Sequence, residues 1–85
     1  MINKKDFLGL YLEEAPLPHA IIRSIECDIF YRNKEYIKHP IVDYGCGDGL
    51  FSSVLFNDAI DVGVDLSSSE LELAKKRSIY KTLFL

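Results

Sequence analysis

The sequence predicts an α/β fold, a parallel sheet with about three strands present, preceded by N-terminal helices. Three observations carry that expectation. A β-branched run near residue 41 opens directly into three glycines at alternate positions, "IVDYGCGDGLF" over residues 41–51. A valine-rich run, "AIDVGVDL", leads at once into "LSSSELELAKKR", which has a helix start signal and a basic end. A third apolar run, "YKTLFL", follows directly behind. Strand, short helix, strand, helix, strand at these spacings makes parallel pairing the natural arrangement, because each helix carries the chain back to the starting end of the next strand.

Taken in order, residues 4–14 are expected to form a short helix. Asn3 would cap it, and Phe7, Leu8 and Tyr11 fall at three-and-four spacing, with Gly9 weakening the middle. Pro18 suits a first helical turn, and residues 18–32 follow as a longer helix. Its expected inward face is Ile21, Ile22, Ile25 and Ile29, with Arg23, Glu26 and Asp28 on or beside the other face. Pro40 punctuates the chain, and strand one is expected over 40–44. "LFSSVLF" is apolar at 50, 51, 54 and 55, the spacing of a short helix ending at the "ND" turn signal. Strand two is expected over 60–65. A helix over 68–78 has a capping box, Ser67 with Glu70, and ends in Lys75, Lys76 and Arg77, which suit the negative end of the helix dipole. The chain divides into an N-terminal helical segment, 1–39, and the first half of an α/β core, 40–85.

A chain of 85 residues is one domain at most, burying roughly 60–65% of its unfolded surface. Net charge is −3 and the basic residues are scattered, so nothing points to nucleic acid or an anionic membrane as partner. Cys27 and Cys46 form no CxxC and have no His at ligand spacing, which argues against a disulfide framework and a metal site; a reduced, cytoplasmic protein is expected. The first residues meet acids too early for a signal peptide, and no stretch approaches the ~18 apolar residues of a membrane span.

Three glycines at alternate positions behind a strand suggest a surface built for close approach, and open α/β sheets place ligands at the carboxyl ends of their strands. Spacing separates two ligand classes. The dinucleotide fingerprint G-x-G-x-x-G requires its third glycine at 50, where the residue is Leu50. The third glycine is Gly49, and Asp43 stands two residues before Gly45. This "VDYGCGDG" resembles motif I of the class I S-adenosylmethionine-dependent methyltransferases, an acid, any residue, then G-x-G-x-G. "GVDLS" at the end of strand two strengthens the resemblance, because Asp65 lies sixteen residues after Gly49, where that family places the acid that holds the ribose hydroxyls. The resemblance covers residues 40–85.

The resemblance implies a Rossmann-like core with S-adenosyl-L-methionine as cofactor and methyl transfer to an unidentified acceptor as activity. By it, the backbone of Gly45, Cys46, Gly47 and Gly49 lies along the methionine part. The carbonyl near Gly45 accepts from the ammonium group, and Asp43 supports that end directly or through water. Asp65 takes both ribose hydroxyls, and Leu66 lies beside the adenine face. The family sheet has seven strands in the order 3-2-1-4-5-7-6, so strand one is expected to be an open edge prone to self-association. Catalytic residues are not identified, and the 85 residues alone are expected to be inactive. The alternatives are a non-catalytic Rossmann-like partner subunit and a nucleotide-binding oxidoreductase fragment, the latter disfavoured by Leu50.

The remaining residues have plainer readings. Asp43 alternatively ties down the loop through backbone N–H groups. Asp48 is read as a solvated residue that helps start the next helix. Packing is the reading for Cys46, which has no His nearby to make it a nucleophile. His19 and His39 sit beside prolines at element boundaries, which suits capping or solvent. Phe7 and Tyr11 are read as core in preference to a lid over the cofactor.

Overall fold

The computed structural model describes residues 1–85. Helices α1 (Phe7–Leu12) and α2 (Leu17–Arg32) and a 3₁₀ turn (Lys34–Tyr36) precede the alternating part. That part runs β1 (Val42–Tyr44), α3 (Leu50–Leu55), β2 (Ile60–Val64), α4 (Ser68–Arg77) and β3 (Tyr80–Phe84). The strands form one parallel sheet in the order β1-β2-β3, with Val42 opposite Val62 and Val62 opposite Thr82. The α/β class, the parallel sheet and the leading helices are therefore as expected. The 3₁₀ turn was not anticipated.

Two expectations about the leading helices are corrected. The first helix begins at Phe7 rather than at residue 4, and its cap is Asp6, not Asn3; the Asp6 carboxylate accepts from the N–H of Gly9 at 3.0 Å. Gly9 makes this possible, since a Cβ there would collide with the Asp6 carboxylate. The residue that weakens the helix interior thus allows its cap. The residues before it pack against the carboxyl end of α3. Ile2 is buried, Met1 accepts from the Asn57 N–H at 2.9 Å, and the Lys5 ammonium donates to the carbonyls of Val54 and Leu55 at the end of α3. Burial lowers the Lys5 pKa, while its contact with helix carbonyls uses the negative end of α3.

In the second helix the face expected to point inward points outward. Ile21, Ile22, Ile25 and Ile29 are 42–61% exposed, whereas Ala20 and Cys27 are fully buried. Four residues link α1 to α2, and the two helices pack directly on each other. Ala20 and Cys27 are seven residues apart and so share one face of α2, and it is this face that joins the core. Burial pushes the Cys27 thiol up to about 11, as befits a packed and unreactive sulfhydryl.

One core unites both halves of the chain. Ile2, Phe7, Tyr11, Ala20 and Cys27 from the N-terminal segment cluster with Val54, Leu55, Phe56, Ile60 and Ile79. At the sheet edge, the Val62 N–H donates to Ile41 and the Gly45 N–H donates to Val64. Parallel pairing uses alternate residues of a strand, so the main-chain groups of Val42 and Tyr44 point to the open side of β1. The two residues are 57% and 87% exposed. No helix is long and apolar enough to cross a membrane.

Candidate functional site

The carboxyl end of β1 turns through Gly45, Gly47 and Gly49, with φ of 77°, 55° and 81°. These left-handed values explain the alternate glycines. At Gly45 and Gly47 a Cβ would meet nothing within 4 Å, so backbone conformation alone demands glycine and the space above the loop is open. Gly49 has a further constraint, because its Cβ would lie 3.0 Å from the Tyr80 ring.

The loop is tied to the end of β2. Gly45 and Cys46 both donate to the Val64 carbonyl, at 2.7 and 2.9 Å. Asp65 accepts from the Gly47 N–H at 3.2 Å through Oδ1 and from the Ser67 N–H at 3.0 Å through Oδ2. The two aspartates that the sequence singles out therefore sit on β1 and directly after β2, around one loop. Asp43 is anchored by side chains rather than by backbone N–H groups: the Ser52 and Tyr80 hydroxyls both donate to its Oδ2 at 2.6 Å. Burial, and then the bond to Asp43, push the Tyr80 phenol well above its ordinary value.

Sequence reasoning missed Tyr80, and the strand glycine Gly63 was the available signal. A Cβ on Gly63 would lie 2.9 Å from Tyr80 Cδ1 and 2.8 Å from Leu83 Cδ2. A glycine inside a strand commonly marks such a close approach. The Tyr80 ring thus borders both Gly49 and Gly63 and delivers its hydroxyl to Asp43.

Arg77 is a second unanticipated residue. It was read as a helix-end charge, but its guanidinium grips three places. It forms a two-pronged pair with Glu14 at 3.0 Å, donates through Nε to the Asp48 carbonyl at 2.9 Å, and reaches the Asp48 carboxylate at 3.3 Å. The end of α4, the glycine loop and the segment after α1 are stitched together through one side chain. Asp48 also accepts from the Leu50 N–H at 3.0 Å, so it helps start α3 as expected but is not merely solvated.

Two clefts open at this end of the sheet and share Gly45 and Asp65. The larger, about 750 Å³, runs between the glycine loop and α2. His19, Arg23, Glu26 and Phe30 line its far wall, and their four-three-four spacing puts them on one helical face. The smaller, about 350 Å³, is bordered by Tyr44, Val64, Leu66 and Ser67. Leu66 and Tyr44, 95% and 87% exposed, both line it.

Carboxylates dominate the larger cleft: Glu14, Glu26, Asp43, Asp48, Asp65 and Glu70. Arg77 pairs with Glu14 and Asp48, and Arg23 pairs with Glu26, whereas Asp43, Asp65 and Glu70 have no cationic partner. Cys46 is buried, and burial together with Asp43 and Asp65 raises its pKa, so the thiol stays protonated and is a poor nucleophile. Phe7 lies in the core, while Tyr11 is buried and also lines the cleft, its ring centroid 6.0 Å from that of His19. His39 is at the other end of the strands, where its Nδ1 meets Asp61 at 2.6 Å. Comparison with protein-family models, curated proteins and solved structures finds no match to this chain.

Proposed function

We propose that the chain is the cofactor-binding part of an S-adenosylmethionine-dependent methyltransferase acting on an acceptor of unassigned class. The observation that carries the reading is the double cleft hinged on Gly45 and Asp65, whose larger half holds three carboxylates without a cation. The motif resemblance implies a ligand with an uncharged flat end, a diol held at Asp65 and a cationic end, and the carboxylates of the larger cleft suit the last of these. S-adenosylmethionine has adenine, a ribose with adjacent hydroxyls, and a sulfonium beside an ammonium group. A dinucleotide would bring a pyrophosphate into a carboxylate-lined space, where like charges repel.

The residues divide the work along the cleft. Each oxygen of Asp65 accepts one backbone N–H and keeps acceptor capacity for a ribose hydroxyl. Leu66 and Tyr44 flank the adenine. The Gly45 carbonyl accepts from the ammonium group, the backbone of Cys46, Gly47 and Gly49 borders the methionine chain, and Asp43 presents Oδ1 while its other oxygen is anchored. The cofactor supplies a methyl group already activated on sulfonium, so the protein's part is to orient it in line with an acceptor and exclude water. No acceptor-activating base is assigned.

Two wider readings accompany this. Two unpaired, buried thiols suit a reducing, cytoplasmic setting. The open edge of β1 is the surface through which copies of the chain associate. Titration calorimetry tests the central reading: heat is expected from S-adenosylmethionine and S-adenosylhomocysteine and none from NAD. Heat from NAD with none from either sulfur compound overturns it.

A further inference from the structure

The open side of β1 offers few groups, and they define how a second copy can meet it. Ile41 and Gly45 bond to β2, and Asp43 lies in register with Gly63 between them, so within the strand only Val42 and Tyr44 turn their main-chain N–H and C=O outward. Both residues are exposed, and being two apart they project to one face of the sheet. Asp43 projects to the other face, where the Ser52 and Tyr80 hydroxyls donate to its Oδ2 at 2.6 Å.

Resting on the reading that copies associate through this edge, we propose that the β1 strands of two copies pair antiparallel across a two-fold axis at Asp43, with Val42 of each opposite Tyr44 of the other, and that Asp43 keeps the pairing weak. In this register every outward group is used, because each Val42–Tyr44 pair exchanges both of its N–H···O bonds. Sliding toward the start of the strand sets Tyr44 opposite Pro40, which has no N–H, and sliding the other way sets Val42 opposite Cys46, whose N–H is spent on Val64. The same register lays each Tyr44 ring on Val42 of the other copy, an aromatic and β-branched pair that covers both exposed side chains. The cost falls on Asp43. It stands opposite itself in the close, non-bonded position, where Cα atoms are about 4.5 Å apart, and like charges so placed destabilise a strand pair. Its partners within the chain are hydroxyls, so no cation offsets the repulsion. An inward-pointing charge is a device that blunts sheet edges, and Asp43 is the residue that applies it here.

Sedimentation equilibrium on the full 85 residues tests the role of Asp43. Asp43→Asn keeps the shape and an oxygen that can accept from Ser52 and Tyr80, and it should raise the association constant about two- to fivefold. Asp58→Asn makes the same change in net charge at an exposed turn and should leave the constant unchanged. Adding Tyr44→Lys to Asp43→Asn should abolish the association. The register is read separately, by isotope-filtered NMR on concentrated wild-type chain mixed from labelled and unlabelled copies, so it is tested even if Asp43→Asn loses the wild-type circular dichroism spectrum. The Tyr44 ring of one copy should contact the Val42 methyls of the other. If folded Asp43→Asn associates no more tightly than wild type, or the contacts between copies join Val42 to Val42 or Tyr44 to Tyr44, this inference is overturned and the sheet-edge reading stands. Absence of association in every chain, or association that survives Tyr44→Lys, overturns both.

Discussion

Replacing Tyr80 by Phe removes one oxygen and leaves the ring between Gly49 and Gly63. The lost contact is a 2.6 Å bond to Asp43, whose acceptor is a carboxylate oxygen that also accepts from Ser52. Bonds to charged groups contribute about 1.5–3 kcal/mol, and the surviving Ser52 bond argues for the lower end, about 1.5 kcal/mol. For a chain of this length that corresponds to a fall in Tm of about 6–12 °C, or about 1.5 M in urea midpoint at a slope near 1 kcal/mol/M. Urea unfolding followed by circular dichroism should show the shift with an unchanged slope. Asp43→Ala should make the Tyr80 substitution much less costly, with a coupling of at least about 0.5 kcal/mol. A loss below about 0.3 kcal/mol, or purely additive losses in the double variant, would refute the claim that Tyr80 holds Asp43 in place.

Asp65→Ala should weaken S-adenosylhomocysteine at least about tenfold in calorimetry, with Asp65→Asn milder because it keeps an acceptor oxygen; unchanged affinity in a folded Asp65→Ala chain would remove the ribose assignment. Acid should loosen the Arg77 stitch. The bond from Arg77 holds the Glu14 carboxyl below its ordinary 4.5, so its contribution is complete above that pH and disappears as pH falls through the lowered value. Arg77→Met should flatten that part of a stability profile measured by urea midpoints, and a profile identical to wild type would show the pair to be idle. At the sheet edge, light scattering should detect association that Tyr44→Lys suppresses. Amide exchange in dilute monomer should be fast at Val42 and Tyr44 and slower at Asp43 and Gly45, which face β2. A monomer with slow exchange at Val42 and Tyr44 counts against an open edge.

The order and type of the elements after residue 40, the parallel class and the glycine loop were all legible in the 85 letters. The reason is that each signal is local. A capping box acts over three residues, and Ser67 does accept from the Glu70 N–H at 3.3 Å. The alternate glycines encode three left-handed φ values, which few other residues adopt. What the sequence could not decide was which surfaces meet. Periodicity marks Ile21, Ile22, Ile25 and Ile29 as an apolar face but does not say whether anything covers it; the fold buries the face of Ala20 and Cys27 instead. Asp43 and Tyr80 are 37 residues apart, and Glu14 and Arg77 are 63 apart. Neither pair has a local signature, because a hydrogen bond across the fold depends on how the sheet, the helices and the loop are stacked. Gly63 lies between the two cases: its lack of a side chain is written in the sequence, but only the tertiary structure supplies the Tyr80 ring that needs the room.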